Sequence, residues 1–373
     1  MEAIFWISLL GALYSYLVYP VALLAMPARR VRPIAQAGSP SITVIIAAHN
    51  EASRLTAKLE NLLACDYARE RLEVIVASDG SEDGTDAVAA RFADQGVRVV
   101  RAEMRGGKEH VQHLAVAAAR HDILVFTDVA TRMDPGGLRA IVRPFADPRV
   151  GAVSSEDRFL DRDGRPMGEG AYVRYEMMLR RLEGRRAGLV GLSGSFFAAR
   201  RELCHDIAPG VPSDFTVALN GARRGMRAVV AAQAFGYYTD LADDTHEYQR
   251  KYRTALRGMA ALWRHRDMLN PLRHGLFAWQ LWSHKPLRWL VPWCLPACLV
   301  SSALAGGSFY VAMFIAQLGL YALVLLGFMS RSLRQRTLVR VPFFFVQANA
   351  ALAHAFIAFL LGIRIQAWEP SRR

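Results

Sequence analysis

Ser41-Ile42-Thr43-Val44-Ile45-Ile46-Ala47-Ala48-His49-Asn50-Glu51 decides the fold: an apolar, β-branched run that stops abruptly at three polar residues. It shows no alternation of apolar and polar positions, so this strand (Ser41 to Ala48) is expected to be buried on both faces, as in a parallel sheet. The same signal recurs outward along the chain. Ala52 to Cys65 reads as a helix, Leu72 to Ala77 as a strand, Asp79-Gly80-Ser81 as a turn and Asp86 to Ala93 as a helix. Val97 to Val100, helical Lys108 to Arg120 and the strand Ile123 to Thr127 follow. Alternating strands and helices predict an α/β fold with a mostly parallel, right-handedly connected sheet. Ligands of such sheets bind beyond the carboxyl ends of the strands. Those ends hold His49, Asn50 and Glu51, then Ser78 and Asp79, then Asp128. Further on, Val150 to Ser154, Ser195 to Ala199 and Ala228 to Tyr238 read as extended. Gly168 to Arg186, Asp214 to Arg224 and a long basic stretch from His246 to Asn270 read as helical.

Composition narrows the class. The chain has 373 residues, 53% of them hydrophobic, and 46 Lys and Arg against 33 Asp and Glu, a formal net charge of +13. Charged residues amount to 21%, which excludes a disordered tail. Four cysteines, at 65, 204, 294 and 298, form neither a disulfide framework nor paired CxxC ligands. The mean hydropathy of +0.14 is high for a soluble protein, and the excess lies at the two ends. Ile4 to Met26 carries no charge, is long enough to cross a bilayer and ends at Pro27, Arg29, Arg30 and Arg32. Its amino end lacks Lys and Arg, which favours a retained anchor over a cleaved signal peptide. Trp289 to Ala305, a short stretch interrupted by Pro292 and Pro296, Phe309 to Met329 and Val341 to Ile363 are three further candidates. The basic loop Ser330 to Arg340 and the arginines after residue 28 are both expected on the inner face. The organisation read from this is an anchor (1–28), a linker (29–40), a globular domain (41–245), basic interfacial helices (246–286) and carboxyl-terminal membrane helices (287–373).

Six stretches recur in a known order: ITVIIAAHNEA (42–52), VIVASDGSEDGT (74–85), GGKEHVQHLAVAAA (106–119), ILVFTDVAT (123–131), SGSFFAARREL (193–203) and PSDFTVAL (212–219). With the flanking apolar segments they make the chain resemble the membrane-bound family 2 glycosyltransferases of bacteria, which include polysaccharide synthases and exopolysaccharide sugar transferases. That resemblance implies a GT-A fold, a nucleotide-diphosphate sugar donor (a UDP-sugar) and inversion at the anomeric carbon. It also implies a bacterial inner-membrane protein whose catalytic domain faces the cytoplasm.

The chemistry such a reaction needs can be set against the residues. Leaving phosphates demand a divalent cation or fixed cationic groups, and an acceptor hydroxyl demands a carboxylate base. By resemblance Asp79 binds nucleobase and ribose, with His49 and Glu51 beside it; Asp-Gly is also common turn chemistry. Asp128 begins the DxD-type motif and would hold Mg2+ or Mn2+. The motif here is Asp128-Val129-Ala130, so its second acid is missing and metal dependence is open. Asp161-Arg162-Asp163 spells DxD but reads as a hairpin turn. Asp214, preceded by Ser213, matches the catalytic base; an Asp there also suits the start of a helix. Lys108 after Gly106-Gly107 stands at a helix start, where phosphate is readily held, or is a solvated lysine. Gln249, Arg250 and Arg253 lie where processive synthases carry QxxRW, without the Trp, and are read either as a diphosphate or acceptor-side clamp or as part of a basic helix on anionic lipid.

The leading expectation is a membrane-anchored inverting glycosyltransferase acting on a lipid-linked or polysaccharide acceptor, single addition being favoured over polymerisation. The rival is a catalytically silent, nucleotide-sugar-binding scaffold subunit of a polysaccharide assembly machine. Nucleic acid is not expected as a partner, because the arginines cluster near apolar segments, where membrane lipid is the simpler partner.

Overall fold

The computed structural model describes residues 1–29, 38–160, 171–239 and 244–365. The decoy Asp161 to Asp163, Arg30 and Arg32 lie outside the described residues. The chain begins with α1 (Glu2–Leu13), a π-helical turn and α2 (Tyr19–Ala25). Next come β1 (Ile42–Ala48), α3 (Ala52–Leu63), β2 (Leu72–Asp79), α4 (Thr85–Ala90), β3 (Val97–Ala102), α5 (Lys108–Ala118) and β4 (Ile123–Asp128). Then follow β5 (Arg132–Met133), α6 (Gly137–Val142), β6 (Val150–Leu160), α7 (Ala171–Gly184), β7 (Phe196–Arg200), α8 (Ser213–Arg223) and β8 (Arg227–Thr239). The chain closes with α9 (Asp244–Arg264), α10 (Pro271–His284), α11 (Pro286–Ala305), α12 (Ser308–Met329), α13 (Arg331–Arg334) and α14 (Thr337–Leu360). Contacts divide it into a unit of Met1–Ala25, Ala242–Met259 and Leu281–Arg364 and a unit of Met26–Leu241, Ala260–Gln280 and Ile365–Arg373.

The larger unit is built on one eight-stranded sheet of order β3-β2-β1-β4-β7-β6-β8-β5. Its first four strands are parallel, with Val44 level with Val74 and Val125. Beyond β4 the sheet is mixed: β7 runs antiparallel to both β4 and β6, β6 and β8 are parallel, and the two-residue β5 closes the edge. All seven residues of β1 are buried. Ile42, Val44, Ile46 and Ala48 feed one apolar cluster, while Ile45 and Ala47 feed another. Two-sided burial is why the strand reads as a continuous apolar run. Strand β6 extends well past the expected Val150 to Ser154, whereas β8 matches the expected Ala228 to Tyr238 to one residue at each end, and the two pair as far as Leu160 with Thr239. The expected helix from His246 to Asn270 ends at Arg264 and passes into a 3-10 turn at Arg266–Leu269.

Among the described residues, four helices are long and apolar enough to cross a membrane: Glu2–Ala25, Pro271–Ala305, Ser308–Met329 and Thr337–Leu360. The stretch expected to be broken by Pro292 and Pro296 is instead the 20-residue α11, which contains both prolines. Within a bundle, neighbouring helices and side chains can accommodate the backbone groups a proline frees. One such neighbour is α1. A Cβ on Gly11 would stand 2.8 Å from Cys294 Sγ, so only glycine allows this approach. Tyr248 and Tyr252 of α9 meet His354 of α14, at 3.2 Å from the Tyr248 hydroxyl and with ring centroids 4.3 Å apart for Tyr252.

Candidate active site

The polar residues at the strand ends of the larger unit converge. After β1, His49 Nδ1 lies 2.6 Å from the Asp79 carbonyl oxygen; a carbonyl only accepts, so Nδ1 carries the proton. Asn50 turns the chain with φ of 52°, a left-handed conformation that Asn tolerates. Its amide side chain accepts from Glu82 N–H at 2.9 Å, which ties the β1 turn to the loop after β2. Glu51 is 3% exposed and pairs with Arg54 at 2.6 Å. Burial pushes its carboxyl up, Arg54 opposes this, and the fields of Asp128 and Asp83 add to the rise.

Asp79 is fully buried. Its two carboxylate oxygens accept from the backbone amides of Gly106 at 2.7 Å and Gly107 at 2.9 Å. The carboxylate expected at the nucleobase and ribose therefore anchors the glycine pair that opens α5. Gly107 has φ of 92°, a conformation L side chains rarely adopt, and the next residue is Lys108. Lys108 is not a solvated lysine. Its ammonium donates to Asp128 Oδ1 at 2.5 Å and to the Gly194 carbonyl at 2.9 Å.

Gly194 connects this pair to the expected base. A Cβ built there would lie 3.5 Å from the Asp214 carboxylate, so Asp214 stands against the loop whose carbonyl holds Lys108. Asp214 is in the first turn of α8, where a carboxylate also favours the helix start. The same loop shows a carboxylate the sequence reading missed. Asp157, on the extension of β6, accepts from Ser193 Oγ at 2.5 Å and Ser195 Oγ at 3.4 Å, and lies 3.9 Å from Arg180. Ser195 in turn accepts the Asp128 N–H through its backbone carbonyl at 3.0 Å. The residues from 191 to 195 thus sit among Asp128, Asp157 and Asp214.

Beneath Asp128 lies a second missed residue, Lys58, 3% exposed. Its ammonium donates to Thr127 Oγ1 at 2.8 Å and to the Thr131 carbonyl at 2.5 Å, bracketing the loop that presents Asp128. Burial pulls its pKa from 10.5 to about 7, although the charge of Asp128 works the other way. The sequence did carry a signal: Lys58 shares the apolar face of α3 with Leu55, Leu59 and Leu62, where a lysine needs a partner.

The donor set available to a cation is small. Among the described residues no three His, Cys, Asp or Glu side chains are grouped so as to hold a metal ion. Asp128 is the remaining acid of its motif, with one oxygen engaged by Lys108. Mg2+ and Mn2+ keep waters and take one or two carboxylates together with substrate phosphates. The site therefore fits a cation shared with a phosphorylated substrate and does not provide an all-protein cage. Gln249, Arg250 and Arg253 belong to the other unit, where Gln249 and Arg250 are exposed and Arg250 pairs with Glu247 at 2.7 Å.

A family model described as glycosyl transferase family 2 matches residues 43–208. An uncharacterised protein of Mycobacterium tuberculosis is 28% identical over 149 residues, 40% of this chain and 46% of that protein. A poly-beta-1,6-N-acetyl-D-glucosamine synthase of Staphylococcus aureus is 27% identical over 123 residues, 32% of this chain and 29% of the synthase. The chain thus spans less than half the length of these curated relatives. Among solved structures, a mannosyltransferase from Pyrobaculum calidifontis, in complex with GDP-Man and Mn2+, superposes with a TM-score of 0.73. The match covers 97% of this chain and 99% of that one at 24% identity, a likeness of fold. The strand-end carboxylates and the α5 lysine therefore stand on a GT-A fold, within the stretch 43–208 that is similar to glycosyl transferase family 2.

Proposed function

We propose that the chain transfers a sugar from a nucleotide-diphosphate donor, a UDP-sugar, to a lipid-linked or glycan acceptor at the cytoplasmic face of a bacterial inner membrane, with inversion. The observation that carries this reading is the cluster in which Lys108 joins Asp128 to the Gly194 carbonyl while Asp214 stands against the same glycine. A cation and an acid beside a second carboxylate support this reading, because displacement at an anomeric carbon requires charge for the leaving phosphates and a base for the acceptor.

The nucleotide end lies at the ends of β1 and β2, where His49, Glu51 and the Asp79-anchored glycines form the wall. Asp128 would hold a divalent cation, which would supply positive charge for the donor diphosphate. Lys108 supplies a second, permanent charge to the same phosphates. Asp214 takes the proton of the acceptor hydroxyl as the new glycosidic bond forms. The bond from the anomeric carbon to phosphate oxygen breaks, and its electron pair leaves on the nucleoside diphosphate. The four apolar helices and the arginines that flank them support a multi-pass membrane protein in contact with anionic lipid. Gln249, Arg250 and Arg253 are by their chemistry donors suited to phosphate.

Ala130 in place of the second motif acid favours one rival, a silent donor-binding scaffold. Nucleoside-diphosphate release from a panel of sugar nucleotides, by detergent-purified protein with membrane lipid extract, separates the two. The transferase reading expects metal-stimulated turnover of one donor and a loss of at least about a hundredfold in Asp214→Asn, the scale of a general base. Donor binding with no turnover in any acceptor mixture would instead establish the scaffold.

A further inference from the structure

The short segment from Gly191 to Ser195 touches Lys108, Asp128 and Asp214 alike. The Leu192 N–H donates to the Asp214 carbonyl at 3.4 Å. The Gly194 carbonyl accepts from Lys108 at 2.9 Å, and a Cβ on Gly194 would lie 3.5 Å from the Asp214 carboxylate. The Ser195 carbonyl accepts the Asp128 N–H at 3.0 Å. All of these contacts are made by the backbone of the segment. Where that backbone lies therefore bears on how the lysine, the metal-side acid and the candidate base stand to one another, and misplacement by about 1 Å can cost a hundredfold in rate.

Two other elements fix the backbone in place. On β6, Ser154 Oγ accepts the Ser193 N–H at 2.8 Å and a guanidinium N–H of Arg180 at 2.8 Å. Arg180, on α7, also donates to the Gly191 carbonyl at 3.3 Å. Asp157, further along β6, accepts from Ser193 Oγ at 2.5 Å and from Ser195 Oγ at 3.4 Å, both on the same oxygen, Oδ1. Its Oδ2 stands 3.9 Å from Arg180. The two hydroxyls lie 3.0 Å apart and flank Gly194 in the chain. Arg180 is buried and Asp157 half-buried. Hydrogen bonds to an ionised acceptor are about twice as strong as those between neutral groups, so the carboxylate is a firm anchor for both serines.

We propose that Asp157 is a positioning residue for the transfer: by binding Ser193 and Ser195 it fixes the Gly194 segment on which Lys108 and Asp214 are set. The assignment rests on the transferase reading above and adds to it a carboxylate that acts through other residues. Its oxygens give the distinction from a direct chemical role. Because Oδ1 alone takes both hydroxyls, an asparagine with its amide oxygen in that place keeps both hydrogen bonds and loses the charge. A base or a metal ligand does not tolerate that exchange.

The test uses the full chain in detergent and measures nucleoside-diphosphate release from UDP-sugars with Mg2+ and membrane lipid extract, beside UDP binding by calorimetry. The variants are Asp157→Ala, Asp157→Asn, the pair Ser193→Ala with Ser195→Ala, and the pair combined with Asp157→Ala. In Asp157→Ala kcat should fall by at least about tenfold, while donor KM and UDP affinity stay as in the wild type because Asp128 still holds Lys108 from β4. A loss of fold would lower UDP binding as well. Asp157→Asn should recover most of kcat. The serine pair should fall as far as Asp157→Ala, and the triple variant no further, since groups that act through one another are not additive.

Wild-type kcat in Asp157→Ala or in the serine pair overturns the assignment, and so do additive losses in the triple variant. An Asp157→Asn enzyme as slow as Asp157→Ala also overturns it and gives the carboxylate a direct role. If Asp157→Ala does not fold, the serine pair and Asp157→Asn decide by the same criteria. Each of these results leaves the transferase reading intact, whereas no release by the wild type from any UDP-sugar overturns that reading and this assignment with it.

Discussion

Replacing Lys58 with methionine keeps the length of the side chain and removes the charge under the Asp128 loop. Two interactions go with it, those to Thr127 Oγ1 and the Thr131 carbonyl. Each partner left unsatisfied in the interior costs about 1–3 kcal/mol, and removing a desolvated ammonium offsets part of that. The balance depends on pH in a direction that can be worked out. The lysine has a pKa of about 7 in the folded chain, against an ordinary 10.5, so between these values the folded state binds fewer protons than the unfolded one. Stability then rises with pH across that window, by about 2 kcal/mol from pH 7 to pH 9, and the cost of the buried charge is fully present below pH 7. Methionine has no such term. Thermal unfolding in detergent at pH 7 and pH 9 should therefore show the wild type gaining on Lys58→Met as the pH rises. Nucleoside-diphosphate release should fall at both values, because the loop that carries Asp128 loses its support. Parallel stability profiles, or release at the wild-type rate, would refute the reasoning.

Two further substitutions probe the phosphate side. Gly107→Ala forces an L side chain into φ of 92° and should destabilise the chain by about 1–3 kcal/mol. It should also weaken UDP binding by displacing Lys108, and unchanged calorimetric affinity would count against that role. Ala130→Asp restores the second acid of the motif beside Asp128 and should lower the Mn2+ concentration needed for half-maximal turnover after chelation with EDTA. An unchanged half-saturation would mean that position 130 does not face the ion.

Much of the nucleotide half was legible in the chain because it is made of local signals. The run from Ile42 to Ala48 announces two-sided burial, and the polar residues that end it are placed at the ligand edge by strand direction alone. Lys108 was recognisable as a candidate from its helix start, and Asp214 from its resemblance to the motif that carries a catalytic base. What each of them touches was not, since the Lys108–Asp128 pair spans 20 residues and Lys108–Gly194 spans 86. The metal question has the same character: the missing acid at Ala130 is visible in the sequence, but the lysine engaged with the remaining acid is not.

The sequence by itself determined the α/β class, the apolar ends and the order of polar strand ends, because burial period and composition act within a few residues of one another. Tertiary structure decided the switch to a mixed sheet at β7 and the long β6–β8 pairing that brings Asp157 to Ser193 and Ser195. It also decided that the carboxylate of Asp79 anchors Gly106 and Gly107. The physical reason is common to all three. Hydrogen-bond partners are chosen across tens of residues by strand pairing and close packing, and no local pattern in the chain encodes which distant group will be there to accept or donate.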